Sequence, residues 1–110
     1  MKNFRYSTQT VSKKDVVNVS KVLKSEFLTQ GPKTIEFENK IKFSVKCKYA
    51  LTVNSGSSAL LLACKALSLK SGDLFWTTPN SFVATANCGI LNGLKIDFVD
   101  IDPNTWNISI

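Results

Sequence analysis

Tyr49-Ala50-Leu51-Thr52-Val53-Asn54-Ser55-Gly56-Ser57-Ser58-Ala59-Leu60 runs from an apolar segment, through a polar turn, into a helical pattern. Residues 49–53 read as a short buried strand, and residues 54–58 as the turn. Ala59 to Leu69 reads as a helix so apolar that burial on most sides is expected. Gly56 permits close backbone approach to a ligand. Ser57 and Ser58 offer hydroxyl and N–H donors at a helix start, where free N–H groups and the helix dipole favour an anion. The same residues also fit a plain helix cap supplied by Ser55 or Ser57. Neither G-x-x-x-x-G-K-S/T nor G-x-G-x-x-G occurs, which removes the P-loop and the dinucleotide fingerprint.

Toward the C-terminus the alternation continues. Ser71-Gly72-Asp73 stops the helix, Leu74 to Thr78 forms a second strand, and Pro79 closes it. Ser81 to Leu91 reads as a helix rich in small residues, with Gly93 as its C′ residue. Lys95 to Val99 is a third strand, and residues 100–104 form a turn. Toward the N-terminus, residues 1–11 read as an extended lead-in containing Phe4 and Tyr6. Ser12-Lys13-Lys14-Asp15 resembles a capping box. Val16, Val19, Leu23 and Phe27 follow at helical spacing, and Leu28-Thr29-Gln30-Gly31-Pro32 ends that helix. Lys33 to Val45 forms a second amphipathic helix. The order α-α-β-α-β-α-β indicates an α/β fold with a parallel sheet. A parallel sheet wants both faces covered, so three strands suggest a truncated sequence or the front end of a longer protein. Residues 1–48 read as a helical lead-in, and residues 49–110 as the first part of the α/β domain.

Bulk properties narrow the chemistry. The 110 residues, 44% hydrophobic, suffice for one small domain. No apolar run reaches membrane-spanning length and no secretory signal is present, so no membrane partner and a cytoplasmic location are expected. Cys47, Cys64 and Cys88 are too widely spaced for a zinc site or a disulfide framework, and no metal is expected. Histidine is absent, which removes Ser-His and Cys-His nucleophile pairs. The net charge of +6 is concentrated in residues 1–48, with eleven Lys/Arg against four Asp/Glu. These lysines lie singly along amphipathic segments, which fits solvated helix faces better than a nucleic-acid surface.

A second segment, Thr77 to Asn87, lies where a strand gives way to a helix, the end at which ligands gather in open α/β sheets. Phe82 sits at the loop–helix junction. It can lie flat on an aromatic ligand or pack as a core residue, and Asn87 carries the same ambiguity.

Four segments together resemble the DegT/DnrJ/EryC1/StrS family of sugar aminotransferases. They are Leu28 to Pro32 with Phe37-Glu38; Asn54 to Leu60; Ser81 to Asn87; and Asp97 to Pro103. The resemblance covers nearly the whole chain. Within the family, Phe75 to Pro79 and Ala86-Asn87-Cys88 look most like the pseudaminic acid branch. Gly56-Ser57 departs from the Ala-Thr often seen there. The resemblance implies the N-terminal part of a fold-type-I large domain that uses pyridoxal 5′-phosphate (PLP). Gly56, Ser57 and Ser58 would hold the phosphate, and Phe82 would stack on the pyridine ring. Tyr6, Thr29, Gln30 and Gly31 would lie near the sugar nucleotide. The implied reaction moves an amino group, typically from glutamate, to C4 of a UDP-linked 4-keto-6-deoxy sugar, in a homodimer. The lysine that bonds to the cofactor and the aspartate that pairs with its ring nitrogen are expected outside this chain. Lys65 and Lys70 read as the solvated edge of the apolar helix, and Asp100 and Asp102 as turn formers. The rival readings are a non-catalytic fragment, a sister sugar dehydratase, and a doubly wound nucleotide-binding module.

Overall fold

A computed structural model of the chain describes residues 6–109. Phe4, in the expected lead-in, lies outside them. The described chain divides into two units, meeting between Leu51 and Thr52.

The first unit holds helices α1 (Lys13–Leu23) and α2 (Pro32–Val45). The capping box at α1 forms as expected. Ser12 Oγ accepts from Asp15 N–H, and the Asp15 carboxylate accepts from Ser12 N–H at 2.7 Å. These bonds hold the Asp15 carboxyl below its ordinary range. The helix ends before Phe27, contrary to the spacing of its apolar residues. Ser25 Oγ donates to Val22 O at 2.7 Å and turns the chain away. Pro32 opens α2, where its missing N–H costs nothing. Gly31 precedes it, and a Cβ there would stand 3.0 Å from Phe27 Cβ, so the turn needs the small residue. On α2, Glu36 pairs with both Lys33 and Lys40, which pull its carboxyl down to about 2.

The second unit holds α3 (Gly56–Ala66), β1 (Leu74–Thr77), α4 (Ala84–Leu91) and β2 (Lys95–Phe98). The two strands pair in parallel with Leu74 opposite Lys95 and Thr77 opposite Phe98, and α4 is the crossover. In-register Trp76 and Asp97 are also tied by their side chains, Nε1 to Oδ2 at 3.2 Å. Gly93, at φ +76°, reverses the chain after α4, and Gly72 N–H bonds to its carbonyl. Beyond β2, Ile101 bridges Ile108 in an antiparallel turn. Asp102 Oδ1 accepts from Asn104 and Thr105 N–H, which lowers its pKa, and Asp100 Oδ1 accepts from Ile101 N–H. Both aspartates are turn formers, as expected.

Two expectations fail here. Residues 49–53 are not a strand, and the described sheet has two strands rather than three. Tyr49 and Leu51 are 77% and 75% exposed, because an apolar run becomes a buried strand only where a sheet edge receives it. Helix α3 is not buried on most sides either. Only its Cys64 is buried, while Leu60, Leu62 and Leu67 stay exposed. Within the unit, α3 packs chiefly on α4, so one flank is covered.

The core comprises Cys64 of α3, Cys88 of α4 and Leu94, with Leu69, Phe75 and Ile96 packed around them. Helix α4 lies against the sheet at Gly89. A Cβ added there would overlap Ile96 Cδ1 and stand 3.3 Å from the Phe75 ring. Helix propensity alone would favour alanine at this position by roughly 1 kcal/mol. The steric cost of overpacking outweighs that gain, so Gly89→Ala should destabilise the protein by about 1–3 kcal/mol, read from the denaturation midpoint. Adding Ile96→Val, which removes the overlapping methyl, should recover part of that loss.

Candidate functional site

The site begins at the N-cap of α3. Ser55 has extended backbone, and its Oγ accepts from Ser58 N–H at 3.1 Å. Its carbonyl takes Ala59 N–H. The Ser58 hydroxyl bonds to Asn54 Oδ1 and Ser55 Oγ, each at 3.0 Å. Three side chains thus lock the turn. The capping reading is correct for Ser55. It does not account for the whole segment, because Gly56 and Ser57 still present N–H groups with no intrahelical acceptor. The Ser57 hydroxyl makes no hydrogen bond among the described residues, and no acidic residue occupies the first turn to neutralise the helix dipole. Gly56 has no atom within 4 Å of an added Cβ. The fold itself therefore does not require glycine there, and the space beside it is open.

Phe82 comes from the neighbouring junction between β1 and α4. Its carbonyl accepts Thr85 N–H at 2.9 Å, starting a tight turn into the helix. Ser81 Oγ and Thr85 Oγ1 are 3.0 Å apart, so that polar pair braces the turn. The helix starts at Ala84, three residues later than the expected Ser81, since Ser81 spends its hydroxyl on Thr85 rather than on a backbone N–H. Phe82 is 74% exposed and takes no part in the core of the described residues.

These two helix starts face common space. One cleft, about 610 Å³, is lined by Gly56, Ser57, Leu60, Phe82 and Thr85. A second, about 340 Å³, is lined by Ser57, Ser58, Phe82, Asn87 and Cys88. Ser57 and Phe82 belong to both. The expected phosphate-side residues and the expected ring-stacking residue are therefore brought together. Tyr6, Thr29, Gln30 and Gly31 belong to the first unit. Tyr6 is fully exposed, Gln30 takes φ +51°, and Thr29 to Gly31 form the turn between α1 and α2.

Asn54 and Thr85 were not singled out from sequence for these roles. Their signal is spacing: Asn54 and Ser58 stand four residues apart, as do Ser81 and Thr85, each pair meeting over one helical turn. Lys65 and Lys70 are exposed, as expected of a solvated edge. Among the described residues there is no cluster of metal-ligating side chains, and no helix is long and apolar enough to cross a membrane.

Known proteins resemble this chain in sequence and in fold. The chain is 41% identical over 103 residues to spore coat polysaccharide biosynthesis protein SpsC of Bacillus subtilis, covering 94% of this chain and 26% of that protein. It is 42% identical to a UDP-4-amino-4,6-dideoxy-N-acetyl-β-L-altrosamine transaminase of Campylobacter jejuni, over 94% of this chain and 27% of the transaminase. The chain thus spans about a quarter of the length of these curated relatives. In three dimensions it superposes on E. coli GDP-4-keto-6-deoxy-D-mannose-3-dehydratase with bound hydrated PLP. The TM-score is 0.89 at 33% identity, with 97% of this chain and 29% of that one covered. Residues 9–110 match the model of one family, and they contain the helix start, crossover and sheet just described. The chain belongs to the DegT/DnrJ/EryC1/StrS aminotransferase family.

Proposed function

We propose that the chain forms the N-terminal part of a PLP-dependent aminotransferase acting on a nucleotide-linked keto sugar. The observation that carries this reading is the pairing, across one cleft, of an uncompensated helix start with an exposed aromatic ring. A phosphate fits the first and a pyridine ring the second. The N–H groups of Gly56 and Ser57 and the Ser57 hydroxyl would hold the phosphate, and the space open at Gly56 would let it approach the backbone. Ser58 serves mainly by fixing the turn through Asn54 and Ser55. Phe82 would stack against the ring. When bound, PLP supplies an electron sink and carries the amino group.

The first unit's Tyr6, Thr29, Gln30 and Gly31 are assigned to the sugar-nucleotide side, although Gly31 also has a packing reason to be glycine. The full reading is amino transfer, typically from glutamate, to C4 of a UDP-linked 4-keto-6-deoxy sugar of pseudaminic acid type. It places the protein in the cytoplasm as a homodimer. The similarity to the Campylobacter transaminase supports this substrate class. The likeness to a dehydratase favours a second reading, sugar dehydration on the same cofactor cradle. Under either reading, the groups that bond to the cofactor and pair with its ring nitrogen lie outside residues 1–110.

In the full-length protein, Phe82→Ala should weaken PLP affinity by roughly tenfold, the worth of one aromatic contact, while Phe82→Tyr retains it. Unchanged cofactor affinity in Phe82→Ala would remove Phe82 from the site. Residues 1–110 alone, mixed with PLP, should show no transaminase activity and, after borohydride reduction, only scattered labelling of exposed lysines with no single preferred site. A label mapping to one particular lysine of this chain would place the covalent chemistry here instead.

A further inference from the structure

We propose that Cys64 and Cys88 form a redox-sensitive dithiol, which a peroxide oxidises to a disulfide joining α3 to α4. The two sulfurs lie 3.8 Å apart in the core, at 4% and 3% exposure, and both are free thiols. A disulfide requires about 2.0 Å, so the sulfurs must close by roughly 1.8 Å, which side-chain rotation accommodates in part. Cys88 now donates its S–H to Thr85 O at 3.1 Å, and releasing that weak bond frees its sulfur to swing toward Cys64. Cys88 also lines the cleft shared by Ser57 and Phe82, which gives a small oxidant a route to it.

The chemistry balances with hydrogen peroxide as oxidant. The Cys88 sulfur attacks one peroxide oxygen, the O–O bond breaks, and one water leaves with the thiol proton. The resulting sulfenic acid is attacked by the Cys64 sulfur. The S–S bond forms, the S–O bond breaks, and a second water carries off the hydroxyl and the Cys64 proton. Two electrons pass from sulfur to oxygen. Burial, and then the neighbouring Cys64, push the Cys88 thiol pKa up, so Cys88 rests as a thiol and reacts only under sustained oxidant. Once formed, the bridge fixes the spacing between the helix that begins at Gly56 and the helix that follows Phe82.

The test uses the full-length protein carrying Cys47→Ser, since Cys47 is exposed and would otherwise add links between molecules. The folded protein is treated with hydrogen peroxide, quenched with N-ethylmaleimide in denaturant, digested without reduction and analysed by mass spectrometry. The expected product is a linked peptide pair holding Cys64 and Cys88, lighter than the two thiol peptides by two hydrogens and separated by dithiothreitol. Recovery of both cysteines as maleimide adducts, under conditions that fully oxidise Cys47 in the parent protein, would overturn the proposal. So would Cys88 halted as sulfinic acid beside a free Cys64.

Discussion

The second unit depends on the close approach of α4 to the sheet at Gly89. Without a side chain at this position, the helix backbone comes down onto Phe75 and Ile96. That contact sets the height of the crossover above both strands. One residue earlier, Cys88 then meets Cys64, and α3 docks on α4 through this sulfur pair and Leu94. Asn92 reinforces the joint at the far end of α4 by donating to Cys88 O and Leu61 O. The two helix starts are in this way held beside one another. The site is a consequence of packing further along the same pair of helices.

At the upper end the chain keeps donors open. A side-chain cap satisfies one of the first N–H groups of a helix and leaves the others to solvent or a ligand. Here Ser55, Asn54 and Ser58 stiffen the turn while the groups at Gly56 and Ser57 remain available. Phe82 is exposed, at the hydration cost that an apolar ring in water carries. A cofactor with an anionic end and an aromatic end relieves both. That complementarity is why the two features carry more together than either does alone, as a helix start by itself is found in every helical protein.

Much of this is legible from sequence. Local signals are the most faithful: Ser12 and Asp15 predict the capping box, Gly93 the reversal after α4, and Gly31-Pro32 the break before α2, which opens at Pro32, one residue ahead of the expected Lys33. Each depends on residues within one or two turns, so a short stretch of sequence contains the whole interaction. The strand expected at 49–53 does not form because β-structure needs an edge supplied from far along the chain. The expected burial of α3 is too high for the same reason, since hydrophobicity states what a helix can bury and not what covers it. Phe82 is recognisable from sequence only as a junction residue with two readings. Its exposure among the described residues depends on where α4 starts, and that start shifts because Ser81 and Thr85 pair with each other.

The central claim, that the start of α3 is a phosphate cradle, is tested most directly by comparing PLP with pyridoxal, which lacks the phosphate. Affinities for both would be measured in the full-length protein and in Ser57→Asp, which sets a carboxylate at the helix start. The account predicts that PLP affinity falls by about tenfold or more, of the order expected for placing like charge beside a bound anion, while pyridoxal binding is unchanged. PLP affinity that survives the substitution intact would contradict it.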